Sequence, residues 1–329
     1  MVLSRVAVLS LGGTISSTKG AGPGVAPTLS GEELVEIVPE ISGVAKVEVA
    51  QLRKVAGSEL TLEDVVPLAQ EAKARLDGGA AGIVVTQGTD SMEETAFALD
   101  LLVGRETPVV VTGAMRDPTL PGDDGPANLL AAVRVAASEE ARGLGAIVVM
   151  NDEIHAARFV RKGHTQNPAA FSSVPVGSIG YLYEGRPRVV VRPVGRRYIE
   201  LLPNTEPRPV ALYKASFGDE GRLLPEIERL GYEGLVVEAM GGGHLPASMV
   251  GTLEGLAGRM PVVLASRIGA GEVLTRTYSF PGSETDLLGR GLIPAGPLDG
   301  LKARILLSLL LRSGASREEI TVAFDPPFY

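Results

Sequence analysis

The sequence predicts an α/β protein: a mainly parallel, flavodoxin-like sheet flanked by helices, followed by a second, smaller α/β domain. Three observations lead there. Short β-branched runs alternate with segments of helical period, the order that builds a parallel sheet with helices on both faces. At 329 residues the chain exceeds what a single hydrophobic core usually sustains. The alternation also lapses between Gly180 and Pro209, where proline, arginine and glycine accumulate, and then resumes. Domains are therefore expected over 1–190 and 210–329, joined by a linker over 191–209.

Residues 5–11 read as the first strand, and 30–38 as a short helix capped by Ser30 with Glu33 at the capping-box position. Residues 44–51 alternate like a strand. Residues 61–76 repeat apolar side chains at helical spacing, with Thr61 and Asp64 as a second, weaker capping box. A strand over 82–86, a helix over 92–102 and a strand over 108–112 follow. An alanine-rich helix over 125–137 and a strand over 146–150 come next. Beyond the linker the pattern gives strands at 211–215, 234–238 and 261–266. Helices are expected at 224–230, 246–258 and 301–311, the last apolar enough to be buried on most sides.

Composition narrows the function. Aromatic residues make up 4% and tryptophan is absent, so the core must be built from Val, Leu, Ile and Ala. A net charge of −8 leaves no basic surplus for nucleic acid or an anionic membrane. Without cysteine there is no disulfide, thiolate nucleophile or cysteine zinc site, which fits a reducing, cytoplasmic setting. The apolar run at the N-terminus stops at Gly12-Gly13, too soon for a signal peptide, and no window reaches the roughly 18 apolar residues of a membrane span. The three histidines are scattered, and no His/carboxylate cluster has ligand spacing; neither a metal nor a cofactor is expected.

The stretch Gly82–Ala96 carries the chemistry. It places Gly88, Thr89 and Asp90 at the carboxyl end of a buried strand, where open α/β sheets bind ligands. By themselves these residues leave two readings, since Asp90 and Ser91 also suit a cap for the following helix. Gly12-Gly13-Thr14 ends the first strand but fits neither the P-loop nor the dinucleotide fingerprint. It reads either as a solvated connection or as the root of a lid carrying Thr14. A hydroxyl becomes a nucleophile only when a neighbour takes its proton. His155, His164 and His244 have no serine-hydrolase setting, which leaves Lys162 as the amine in question, against its ordinary reading as a surface lysine.

Several segments, in order along nearly the whole chain, resemble the bacterial-type L-asparaginase and glutaminase-asparaginase family. They are Gly12-Gly13-Thr14-Ile15, Thr86-Gln87-Gly88-Thr89-Asp90-Ser91, Gly113-Ala114-Met115-Arg116, Asp124-Gly125-Pro126-Ala127-Asn128 and Val148-Val149-Met150-Asn151-Asp152. Leu298 and Lys302-Ala303-Arg304 extend the likeness. The resemblance implies that Thr14 attacks the side-chain amide of L-asparagine, forming an acyl-enzyme and releasing ammonia. It makes Thr89, Asp90 and Lys162 a second hydroxyl–carboxylate–lysine group, in which Asp90 also binds the α-ammonium.

The resemblance further implies that Ser58 grips the α-carboxylate and Glu59 the ammonium, although Gly57-Ser58-Glu59 alone reads as a solvated turn. Backbone near Gly88 and Ala114 would frame the amide. Glu284 would reach the ammonium from a neighbouring subunit, which implies a homodimer or homotetramer; alone it reads as an exposed loop glutamate. Two positions depart from the family pattern. Val25 stands where the lid usually has a tyrosine, with Tyr278 a conceivable stand-in, and His244 replaces an asparagine. The function implied is L-asparagine hydrolysis, with a glutaminase-leaning enzyme or a non-catalytic amino-acid sensor as alternatives.

Overall fold

A computed structural model describes residues 3–19, 24–202 and 204–325. The chain divides into two units, Met1–Tyr198 and Ile199–Tyr329.

The first unit begins with strand β1 (Ser4–Gly12), a short hairpin of β2 (Ser17–Lys19) and β3 (Val25–Pro27), and helix α1 (Gly31–Glu36). Next come β4 (Ala45–Val55), α2 (Leu62–Asp77), β5 (Gly82–Thr86), α3 (Met92–Val103), β6 (Val109–Thr112), α4 (Gly125–Ala136) and β7 (Ala146–Met150). Five small strands close the unit: β8 (Glu153–Ala156), β9 (Arg161–Lys162), β10 (Phe171–Ser172), β11 (Gly180–Tyr183) and β12 (Arg186–Val189).

The main sheet has the order β12-β11-β8-β7-β6-β5-β1-β4. Its β4-β1-β5-β6-β7 portion is parallel throughout, the flavodoxin arrangement in which the second strand lies outside the first. The strands β8, β11 and β12 extend it antiparallel, an edge the sequence pattern does not predict because each is four residues long and β8 and β12 are charged. Every residue of β5, β6 and β7 is buried, as expected for strands covered on both faces. Helices α1 and α4 cover one face through Leu34, Leu129 and Val133, packed on Val6, Val8, Val84 and Val110. On the other face α3 packs against β6, β7 and α2. Each such Val or Leu contributes about 1.5–3 kcal/mol when fully buried.

Both predicted capping boxes form. The Glu33 N–H donates to Ser30 Oγ at 3.2 Å, and the Ser30 N–H returns to Glu33 Oε2 at 2.7 Å. At α2 the Asp64 carboxylate accepts from the Thr61 N–H and hydroxyl at 2.9 and 3.0 Å. The strand β4 runs four residues past its expected end at 51, its outer part exposed and studded with Arg53 and Lys54, which guards a free sheet edge.

The second unit holds a four-stranded parallel sheet, β13 (Val210–Lys214), β14 (Gly234–Ala239), β15 (Val262–Ser266) and β16 (Ile293–Pro294), in that order. Its helices are α5 (Glu226–Arg229), α6 (Ala247–Ala257), α7 (Glu284–Gly289), α8 (Gly300–Arg312) and α9 (Arg317–Ala323). The helix expected over 224–230 shrinks to one turn, because Pro225 opens it and Gly231, at φ 82°, ends it. The Asp299 side chain caps α8 by accepting from the Lys302 N–H at 2.9 Å. Among the described residues no helix is long and apolar enough to cross a membrane.

Candidate active site

Three tight turns meet at the carboxyl ends of β1, β4 and β5. After β1 the chain turns through Gly12 and Gly13, at φ 106° and 86°, into a 3-10 turn over Thr14–Ser16. After β4 comes Gly57–Glu59, and after β5 comes Thr89–Ser91. A β-carbon built on Gly13 would lie 2.0 Å from the Gly88 nitrogen, and one on Gly88 would lie 2.6 Å from the Gly57 nitrogen. Only glycine permits such an approach of backbone to backbone. The stack brings the peptide carrying Thr14, the one carrying Ser58 and Glu59 and the one carrying Thr89 into contact. The Ser91 hydroxyl adds a bond to the Gly57 carbonyl at 2.7 Å.

That bond settles one open reading against the helix cap. The N-cap of α3 is Ser91, yet its side chain makes no cap hydrogen bond. The hydroxyl is spent on Gly57 and the neighbouring Asp90 carboxylate on a lysine. Lys162, on β9, reaches across to place its Nζ 2.9 Å from Thr89 Oγ1 and 2.7 Å from Asp90 Oδ1. Its side chain is only 16% exposed, so the surface-lysine reading fails, whereas the Asp90 side chain is 66% exposed and opens to solvent. Thr89 is buried beneath them.

The fourth wall comes from the loop after β6. Met115 and Arg116 donate their N–H groups to the Asp124 carboxylate at 3.1 and 2.8 Å, and Asn128 Nδ2 donates to the Gly113 carbonyl at 3.0 Å. Asn128 Nδ2 also bonds Asp124, and its Oδ1 accepts from the Asn151 N–H at 3.0 Å. These bonds pin Ala114, which is fully buried, while a β-carbon on Gly113 would touch Thr89 Cγ2 at 3.4 Å. Asp124 and Asn128 therefore hold the Ala114 loop in place, a task that no spacing in the sequence announced. Both lie in the Asp124–Asn128 segment that shares in the family resemblance, but by themselves an aspartate and a proline opening a helix ordinarily mean only a cap.

Thr14 is half-buried, and Ser58 and Glu59 are exposed; among the described residues none has a side-chain hydrogen bond. All three are free to take a ligand. Val25 lies in β3 opposite Lys19, exposed and without any polar group to offer.

Glu284 lies in the second unit. It opens α7 and is fully buried, so it is not an exposed loop residue. Its Oε1 accepts from the N–H groups of Thr277 and Tyr278 at 2.8 and 2.7 Å, and its Oε2 lies 3.2 Å from His244 Nε2. Burial pushes the carboxyl pKa up, but the bonds from Tyr278, Thr277 and His244 outweigh it and hold the group below the usual glutamate range. Tyr278 and Phe280 stand edge-on to the His244 ring at 4.9 and 5.2 Å. Among the described residues, no group of three His, Cys, Asp or Glu side chains is placed to hold a metal ion.

Sheet order and converging turns define the class: an α/β enzyme with its candidate site at the carboxyl ends of a parallel sheet. Comparison with known proteins narrows the class. Residues 5–194 match the family model "Asparaginase, N-terminal" and residues 209–324 match "Glutaminase/Asparaginase C-terminal domain"; the chain belongs to the asparaginase family. It is 35% identical to an L-asparaginase of Bacillus licheniformis over 94% of this chain and 96% of that one. With L-asparaginase 2 of Escherichia coli it shares 32% over 99% and 94% of the two chains. The crystal structure of a probable cytoplasmic L-asparaginase from Campylobacter jejuni superposes with a TM-score of 0.88 at 31% identity, covering 98% of this chain and 99% of that one.

Proposed function

We propose that the protein hydrolyses the side-chain amide of L-asparagine to L-aspartate and ammonia through a threonine acyl-enzyme. The observation that carries this reading is the amine of Lys162 within hydrogen-bond reach of both Thr89 Oγ1 and Asp90 Oδ1. Thr14 attacks the amide carbon and its hydroxyl proton passes towards the leaving nitrogen, so that the C–N bond breaks and ammonia departs. Water then attacks the ester, with Thr89, Lys162 and Asp90 managing its proton. In the resting arrangement Lys162 donates to both neighbours, so it must give up a proton before it accepts one. Backbone N–H groups beside Gly88 and Thr89 stabilise the oxyanion, and the buried Ala114 peptide frames the amide.

Ser58 binds the α-carboxylate, and Glu59 and Asp90 the α-ammonium. A glutamate at 59 supports glutamine as a slower second substrate. On the family resemblance Glu284 completes the ammonium site from a neighbouring copy in a homodimer or homotetramer; its carboxylate is fully buried in its own unit and must be uncovered to do so. The linker over 191–209 joins the two domains, a reading supported by the stretch between residues 194 and 209 that neither family model covers. The absence of cysteine and the cytoplasmic Campylobacter jejuni relative favour the cytoplasm, although a Haemophilus influenzae relative at 34% identity is named a probable periplasmic L-asparaginase.

The test is ammonia release from asparagine, with glutamine alongside, for the wild type and Thr89→Val. The wild type should turn over asparagine faster than glutamine, and the variant should lose about a thousandfold in kcat. A wild type that binds asparagine without releasing ammonia would instead be an amino-acid sensor.

A further inference from the structure

The lysine at the centre of the site sits on a weak support. The strands β9 and β10 pair through only two residues each, with Lys162 opposite Phe171, and a two-stranded ribbon of that length does not hold itself in water. Outside the ribbon, α3 packs against β9, and Val160, Ala170 and Phe171 are buried; two polar links add direction to that packing. On one side the Val160 N–H donates to the Ala156 carbonyl at 3.1 Å, tying the start of β9 to the end of β8. On the other, Ser173 follows directly after β10 and its hydroxyl lies 3.0 Å from Nδ1 of His155. His155 belongs to β8 and is paired with Val148 in the main sheet.

Both partners are buried, each 2% exposed. A serine so enclosed has no access to substrate, so the pair is not a second nucleophile. The Nε2 edge of the imidazole faces Glu153 Oε2 at 3.3 Å. That carboxylate favours the tautomer with its proton on Nε2, which leaves Nδ1 to accept from the Ser173 hydroxyl. Breaking the bond would strand a hydroxyl and a ring nitrogen away from water, so it persists in the folded protein. A continuous path results, from the sheet through His155 and Ser173 to β10, and across the ribbon to Lys162.

We propose that His155 and Ser173 are positioning residues for Lys162, holding its amine in register with Thr89 and Asp90. The inference rests on the proposed role of Lys162. Displacing a catalytic group by a fraction of an ångström lowers kcat steeply while leaving substrate binding nearly intact.

The experiment measures kcat and KM for ammonia release in Ser173→Ala, His155→Leu, His155→Asn and the Ser173→Ala/His155→Leu double variant. Ser173→Ala and His155→Leu should each lose about five- to tenfold in kcat with KM within about twofold. His155→Asn, which keeps a polar atom near Nδ1, should recover most of that loss. The double variant should be no slower than the slower single one, since both remove a single link. Wild-type kcat in Ser173→Ala, or effects that multiply in the double variant, would overturn the inference even if the melting temperature falls. Lys162→Met is the control. Turnover surviving in Lys162→Met would sink the reading of the site itself, whereas an inactive Lys162→Met beside a fully active Ser173→Ala sinks only the link.

Discussion

The backbones of Gly13 and Gly88 touch, so closely that a β-carbon on Gly13 would lie 2.0 Å from the Gly88 nitrogen. Gly13→Ala must therefore push the Thr14 turn off the Thr89 turn, and the φ of 86° adds strain of its own. We expect a loss of about a hundredfold or more in kcat together with a lower melting temperature. Asparagine turnover within twofold of wild type would show that the two turns need not meet.

Lys162 can serve as a fixed charge or as a carrier of protons, and Lys162→Arg separates the two. Arginine keeps the charge but does not deprotonate in a protein. If proton transfer is the task, Lys162→Arg and Lys162→Met should be equally inactive. Substantial recovery of kcat in the arginine variant would reduce the lysine to an electrostatic role.

Removing Asn128 should release the Ala114 loop. Asn128→Ala leaves the Gly113 carbonyl and the Asn151 N–H without their partner, at a cost of about 1–3 kcal/mol each when buried. Urea unfolding should register that loss, and kcat should fall further than KM rises. A destabilised variant with unchanged kcat would confine Asn128 to the scaffold.

His155 should make the fold sensitive to mild acid. Burial pushes its imidazole down, and Glu153 restores only part of the shift. With the folded value below the unfolded one of about 6.5, the unfolded chain takes up its proton first as pH falls. Stability should therefore drop as pH decreases through about 6.5 and level off once the folded protein titrates as well. Melting curves from pH 8 to 5 should show this slope in the wild type and a shallower one in His155→Leu; equal slopes would assign the effect to other groups.

Glu284 has the opposite sign. Its folded pKa lies below the usual carboxylate value, so its contribution is present above about pH 4.3 and is lost as pH falls through the folded value. Glu284→Gln should be less stable than wild type at neutral pH, and the two should converge in acid. A constant gap from pH 7 to 3 would mean that the carboxylate charge is irrelevant to the loop at Thr277 and Tyr278.

Much of the fold was legible because buried parallel strands are uniformly apolar: the runs at 82–86 and 146–150 can hardly be anything else. The antiparallel extension was not, since strands such as Glu153–Ala156 and Arg186–Val189 are too short and too charged to carry a period. The Thr89 turn could be read as a ligand site or as a cap, and the cap reading fails because the Lys162 amine and the Gly57 carbonyl take the groups a cap would have used. Lys162 and Thr89 lie 73 residues apart, and their meeting depends on a ribbon two residues long that leaves no pattern in the sequence. Glu284 looked exposed because its cage of backbone donors and His244 exists only once the chain has folded.

The carbonyl of Gly13 receives three donors, the Ser16 N–H at 3.1 Å and the hydroxyls of Ser16 and Ser17 at 2.9 Å each. Thr14 is thereby clamped within the first turn of its own loop and belongs to the fixed frame of the site. If Thr14 is the attacking alcohol, as proposed, its place is set by residues 13–17, and changes of loop sequence beyond Ser17 should leave its position intact.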